Sequence, residues 1–364
     1  MISRAAAADE LLTRRRERVS LSAFTKHVFS IVDPGAVYNH NWHIDCICEY
    51  LEAAYRREIL RLIINMPPRF MKSICCTIAF PAWALGQDAS EQVLTASYSS
   101  LLATKHSVDC RLVMQSDWYK LLFPDTRIKS DQNEKTNYET TAQGHRVATS
   151  VGGSATGRGG NIKILDDPMN PKNAESKVER DGANDWIDQT WASRSNDPKT
   201  SIDIVVMQRL HQDDTTGHLL SQSEWKHLNL ENEATSRQTI VYGDFVKTRE
   251  KGELLHSERF DEDATAQAKL RLGSYGYAGQ YQQAPAPKGG GIVKLGWFYR
   301  FNKPMASARR IIHSWDTAQK AGELNDYSVC GVVHDTHRGY DLVDVYRQKM
   351  EQPDLVARII AMAA

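Results

Sequence analysis

The sequence predicts an α/β protein, a mainly parallel sheet with helices on both faces followed by a smaller α/β unit. Three observations predict it. Short apolar, partly β-branched runs ("RLIINM", "QVLTASYS", "NIKILDD", "TSIDIVVMQRL") recur between segments of helical periodicity. These runs are apolar nearly throughout, as expected of strands buried on both faces. After "APAPKGGG" (284–291) the pattern changes to three successive strands, which marks a linker and a second unit.

Taken in order, residues 1–33 read as helical, with Arg14, Arg15, Arg16 and Arg18 on a solvated face. Residues 43–60 carry helical spacing through Ile44, Ile47, Leu51 and Ala54. "RLIINM" is a buried strand, and "ICCTIAFPAWALG" a buried helix broken near Pro81. "QVLTASYS" is the next strand, and "SLLATKHSVDCRLVMQSDWYKLLF" a long helix or helix pair. "NYETT" and "HRVATSV" alternate like a hairpin, and "GGSATGRGG" is a glycine-rich loop before the strand "NIKILDD". Residues 172–194 return to helix, with Trp186 and Trp191 facing inward. "TSIDIVVMQRL" is a strand, and "HQDDTTGHLLSQ" a helix with Asp213 or Asp214 near its start. Past the linker come "RRIIHSWDTA", "DYSVCGVVHDT" and "GYDLVDVYRQ" as strands, then "QPDLVARIIAMAA" as a helix.

The chain has 364 residues, enough for two domains, and 45 basic residues balance 45 acidic ones. Any nucleic-acid contact must therefore come from a local basic patch. No signal-peptide core or membrane-length apolar run is evident. The six cysteines form no C-x-x-C pair, and Cys75, Cys76 and Cys330 read as small core residues in a reducing cytoplasm. "HNWHIDCIC" tempts a zinc reading through His40, His43, Asp45, Cys46 and Cys48. An amphipathic helix is preferred, because no second ligand pair follows at zinc-finger spacing.

Two sites carry chemistry. The first is "NMPPRFMKS", a strand-to-helix loop ending in Lys72-Ser73. Aligned on the phosphate loop G-x-x-x-x-G-K-[ST], its glycine positions hold Met66 and Met71. A lysine ammonium, a serine hydroxyl and a helix N-terminus still suit a nucleoside triphosphate and Mg²⁺. "IKILDD" has the form of a Walker B strand: Asp166 for the Mg²⁺ shell, Asp167 to orient or activate water. Gln208, after the strand "IDIVVM", is placed to sense the γ-phosphate. Arg69 inside the loop is a finger candidate in cis, and Arg158 in the glycine loop one in trans. The second site is Asp316 at the end of one strand and Asp326 at the start of the next. Paired carboxylates there suit a two-metal nuclease on a ribonuclease H-like sheet.

The stretches "NMPPRFMKS", "GGSATGRGGNIKILDDP", "VVMQRLHQDD", "YQQAPAPKGGG" and "WDTAQKAGELNDYSV" stand in this order along the chain. Together they resemble the large terminase subunit of tailed bacteriophages. The resemblance implies a P-loop ATPase motor over 1–283, a linker over 284–291, and the start of a ribonuclease H-like nuclease over 292–364. It implies ATP and Mg²⁺ at Arg69, Phe70, Met71, Lys72, Ser73 and Asp166, with Asp167, Arg158, Arg69 and Gln208 as catalytic groups. It implies Mg²⁺ or Mn²⁺ at Asp316 and Asp326. The implied partners are double-stranded viral DNA, a small terminase subunit and the capsid portal, with several copies in a ring. The implied place is the host bacterial cytoplasm and, transiently, the procapsid portal, not the mature virion.

The sequence departs from the family pattern at Phe70-Met71, where His-Gly is usual, and at Asp167, where many members have Glu. Members also continue beyond the equivalent of residue 364, which makes an incomplete nuclease the expectation. A decayed prophage remnant and a helicase are the competing readings. A helicase should show a second ATPase lobe, where this sequence offers acids on strands after residue 291.

Overall fold

A computed structural model describes residues 4–153, 157–243, 245–286, 297–302, 307–317 and 327–363. The chain divides into two compact units, Met1–Gly291 and Ile292–Ala364.

The first unit opens with helices α1 (Arg4–Val19), α2 (Leu21–Val32) and α3 (Trp42–Tyr55). Strand β1 (Arg61–Asn65) leads into a helix that starts at Lys72. That helix is π-wound over Ile74–Ala79 and becomes α4 (Phe80–Gln87). Then follow β2 (Gln92–Ser97), α5 (Ser100–Gln115), α6 (Asp117–Leu122), β3 (Ile128–Asn133), β4 (Asn137–Thr140), β5 (His145–Ser150) and β6 (Ile162–Asp166). Helix α7 (Lys177–Trp186) precedes β7 (Ile202–Met207), α8 (Thr215–Gln222), β8 (Lys226–Asn229), β9 (Gln238–Tyr242), β10 (Phe245–Arg249) and α9 (Glu262–Gln280).

One eight-stranded sheet has the order β3-β4-β5-β2-β6-β7-β1-β8. The six strands from β5 to β8 are parallel, and β4 and β3 extend them antiparallel. Alternate residues of each central strand enter opposite layers. Leu62, Ile64, Val93, Ile162, Ile164, Ile204 and Val206 pack with Phe24, Ile47, Cys75, Trp83 and Val113 from the helices on one face. Ile63, Leu94, Leu165, Val205 and Met207 pack on the other with Ile187, Trp191 and Leu219. Burial on both faces is why these strands read as short, mostly apolar runs, broken by Thr95, Lys163 and Asp203. The mainly parallel α/β architecture with two helical layers is therefore as the sequence predicts.

Three boundaries differ from the sequence reading. Helix α3 stops at Tyr55, not residue 60, because the chain turns through Arg57 in the left-handed region (φ 65°). Pro81 does not end the helix: the chain stays helical through it, and the winding changes from π to α just before it, at Phe80. The helix expected over 172–194 begins at Lys177, where the Ser176 side chain caps it by accepting from Glu179 N.

The second unit is an antiparallel meander, β11 (Arg310–Asp316), β12 (Ser328–Thr336) and β13 (Gly339–Gln348), followed by α10 (Gln352–Ala363). Cys330 and Leu355 are buried, and Arg358 stacks on Tyr346, so α10 lies against the face that carries Trp315 and Tyr346. Among the described residues, no helix is long and apolar enough to cross a membrane.

Candidate active site

Strands β1, β6 and β7 are adjacent and parallel, so their carboxyl ends meet at one edge of the sheet. Ligands of open α/β sheets bind beyond such ends. After Asn65 the chain runs through Met66 to Met71 and enters the helix at Lys72. Arg69 (φ 70°) and Met71 (φ 67°) both adopt the left-handed conformation that glycine usually supplies. The cost, about 1–2 kcal/mol per residue, must be met by packing around them. Phe70 provides it. Its ring is buried, with centroids 5.9 Å from His43 and 5.8 Å from Phe260. Its carbonyl accepts a hydrogen bond from His43 Nε2 at 3.2 Å. Burial pushes the His43 pKa down to about 3, which leaves a neutral ring. Arg69 itself is exposed and has no ion-pair partner among the described residues.

Lys72 Nζ donates to Asp167 Oδ1 at 2.7 Å, so the loop and the end of β6 are joined by an ion pair. Asp167, like Arg69 and Met71, has a positive φ (45°), fixed by Asp167 N to Val206 O (2.8 Å) and Tyr98 N to Asp167 O (3.0 Å). Beside it, Asp166 is fully buried. Thr77 Oγ donates to Asp166 Oδ2 at 2.8 Å, and His106 Nδ1 lies 3.3 Å from the same oxygen. Asp166 Oδ1 has no hydrogen-bond partner among the described residues. Ser73 stands beside this carboxyl, close enough to lower its pKa. Burial nevertheless raises the Asp166 pKa, against Lys72, Thr77 and Ser73. Burial likewise raises that of Asp167, with Lys72 opposing and the Asp166 charge adding.

A buried carboxylate oxygen without a donor, next to a serine hydroxyl, is a hard oxygen pair of the kind Mg²⁺ takes. The residues present fit such an ion. Gln208 follows β7 directly, its backbone N–H bonds Asp167, and its buried Oε1 has no partner among the described residues. Asp214 is structural: it caps α8 through Gly217 N (3.0 Å) and pairs with Arg209 (3.0 Å).

Arg158 is not brought to this chain's own loop. It pairs with Glu139 Oε1 at 2.8 Å and precedes the start of β6, whereas Asp166 ends that strand. The strand's five residues separate the two ends by about 13 Å. Sequence reasoning missed Thr77, His106 and Arg146. The one available signal was Arg146, a charge within the strand-like "HRVATSV". Arg146 is fully buried and donates to Thr77 O and His106 O, each at 2.9 Å.

In the second unit Asp316 is exposed at the end of β11, opposite Val329. Asp326 lies outside the described residues. Asp335 is held by Arg309 (3.2 Å) and Arg310 (2.8 Å). Among the described residues, no group of three or more His, Cys, Asp or Glu is gathered to hold a metal. In "HNWHIDCIC", His40 Nε2 contacts Asp45 Oδ2 (2.9 Å), while Cys46 and Cys48 are buried in the core.

No protein-family model matches the chain, and no curated protein matches it. Solved structures similar to it include the HK97 bacteriophage large terminase, at 13% identity over 93% of this chain and 71% of that one, with a TM-score of 0.45. The large terminase of a thermophilic bacteriophage is similar in one crystal form at 9% identity over 86% of this chain and 72% of that one, TM-score 0.42. The same terminase in complex with ADP is similar at 8% identity over the same shares, TM-score 0.40.

Proposed function

We propose that the first unit is a Mg²⁺-dependent ATPase and that the chain acts as a phage or prophage terminase large subunit, an ATP-driven translocase of viral DNA. The observation that carries the ATPase reading is the meeting of Lys72 with Asp167 at 2.7 Å beside a buried Asp166 with one open oxygen. The DNA-packaging role rests on the ordered motifs of the sequence.

In this reading Lys72 and the N–H groups of the first helical turn receive the terminal phosphates. Asp166 Oδ1 and the Ser73 hydroxyl would hold Mg²⁺, which would supply positive charge to the terminal phosphates. Phosphate entry draws Lys72 off Asp167, whose freed carboxylate accepts a hydrogen bond from the attacking water. Gln208 Oε1 is placed to feel that water or the γ-phosphate and to pass the change into β7. Arg69 stabilises developing charge from the same chain, and Arg158 serves a neighbouring copy in a ring. Asp316 and Asp326 are the proposed metal-holding acids of the nuclease and would take Mg²⁺ or Mn²⁺, though two-metal cleavage needs further carboxylates beside them. The proposed partners are duplex DNA, a small terminase subunit and the capsid portal, met in the host bacterial cytoplasm.

The test is ATP hydrolysis by the 364-residue chain, with and without duplex DNA. The expected result is DNA-stimulated turnover that Lys72→Ala abolishes. Absence of nucleotide binding by the unaltered chain, or hydrolysis indifferent to Lys72→Ala, would sink the ATPase reading and leave a non-catalytic remnant.

A further inference from the structure

We infer that Thr77 and His106 are positioning residues that clamp one oxygen of Asp166 and so reserve the other for the nucleotide's divalent cation. The inference rests on the ATPase reading above and concerns how its metal site is built.

The two oxygens of Asp166 are treated differently. Oδ2 takes a hydrogen bond from Thr77 Oγ at 2.8 Å and faces His106 Nδ1 at 3.3 Å. Oδ1 is equally buried and makes no hydrogen bond of normal geometry among the described residues, although the Ser73 hydroxyl stands close enough to this carboxyl to lower its pKa. A carboxyl oxygen left without a partner in a protein interior is costly, and it calls for an explanation such as an ion or a water that it binds. Mg²⁺ is small and demands near-octahedral geometry, so one oxygen per carboxylate suits it. A clamp on Oδ2 stops the carboxylate from rotating and fixes where Oδ1 stands.

The clamp is itself held from behind. Thr77 belongs to the π-wound stretch that follows the loop, and His106 to the middle of α5. Arg146 of β5 donates one guanidinium nitrogen to Thr77 O and another to His106 O, each at 2.9 Å. One buried side chain therefore sets the spacing of the two residues that converge on Oδ2. Single π turns inside helices often occur where a side chain or carbonyl must be re-aimed for a site. Here the Thr77 hydroxyl goes to Asp166 while its carbonyl goes to Arg146. His106 Nδ1 makes no aligned hydrogen bond, and its part in the clamp is the 3.3 Å approach to Oδ2.

The experiment titrates a fluorescent ADP analogue into the full chain in EDTA and across a Mg²⁺ series. Thr77→Val and His106→Leu should each raise the Mg²⁺ concentration for half-maximal binding by about tenfold, the low end for residues that orient a metal ligand. Their metal-free nucleotide affinity should stay within about twofold of the unaltered chain, and Thr77→Ser should restore the Mg²⁺ response. A purely structural role would lower affinity in EDTA and in Mg²⁺ alike, and that result overturns the inference. So does an unchanged Mg²⁺ requirement in both folded variants. If Thr77→Val does not fold, His106→Leu carries the test. Failure of the ATPase reading looks different: the unaltered chain binds no nucleotide under either condition, or Lys72→Ala binds as well as it does.

Discussion

On the proposed reading, the Lys72–Asp167 ion pair and an incoming phosphate would compete for one ammonium, which would make Asp167 both an obstacle to binding and a candidate for catalysis. Asp167→Asn removes the competing charge but keeps the shape. Nucleotide affinity should rise by a few fold, while hydrolysis should fall by about 10² or more, the usual contribution of a positioned base. Parallel measurement of analogue binding and phosphate release checks this, and turnover within twofold of the unaltered chain would remove Asp167 from the mechanism. Met71 raises a different question at the same scale. Its φ of 67° costs about 1–2 kcal/mol of strain that glycine would not incur, while glycine loses about 0.5–1 kcal/mol through unfolded-chain entropy. Met71→Gly should therefore stabilise the first unit by roughly 0.5–1 kcal/mol, read as a higher denaturant midpoint. A lower midpoint would mean that Met71 packing outweighs its backbone strain.

At the scale of elements, the loop keeps its shape because α3 and the loop share a core, and His43 is the joint. Its folded-state pKa of about 3 lies below the unfolded value near 6.5. The unfolded chain thus binds the extra proton, and stability falls as pH drops from about 6.5 toward 3, by about 1.4 kcal/mol per pH unit for this one group. His43→Gln should flatten the stability-against-pH curve between pH 6.5 and 4.5, and an unchanged slope there would contradict a buried neutral ring. What was legible in the sequence follows from the same burial logic. Strands β1, β2, β6 and β7 are buried on both faces and announce themselves as apolar runs. Strand β3 is mostly exposed, and β8 buries one residue of four; neither has a pattern to read. The residues of the proposed phosphate site, Lys72-Ser73 and the two acids, were legible in the sequence, but the role of Phe70 was not. An aromatic anchor substitutes for glycine only through contacts with His43 and Phe260, residues far off in sequence. Thr77 and His106 were hidden for the same reason, since their convergence on Asp166 depends on Arg146 in a third element.

At the scale of the whole chain, each unit has its own chemistry to offer, and they are unequally equipped. The first gathers a lysine, two acids, a hydroxyl and an amide at one sheet edge. In the second, Asp316 ends β11 exposed, and the arginines of β11 and the preceding turn have taken Asp335. Two-metal phosphodiester cleavage needs several carboxylates around ions about 3.5–4 Å apart, because one acid neither holds both ions nor fixes their spacing. Only one face of the meander carries α10; on the other, Tyr340, Leu342 and Val345 are more than half exposed. From this we expect the 364-residue chain to cut supercoiled plasmid no faster than background in Mg²⁺ or Mn²⁺. Asp316→Ala should leave ATP hydrolysis unchanged, since the first unit's site uses none of the second unit's residues described above. Robust metal-dependent cutting that disappears in Asp316→Ala would show that Asp316 already works with another carboxylate, and Asp326→Ala would then be the next variant to make.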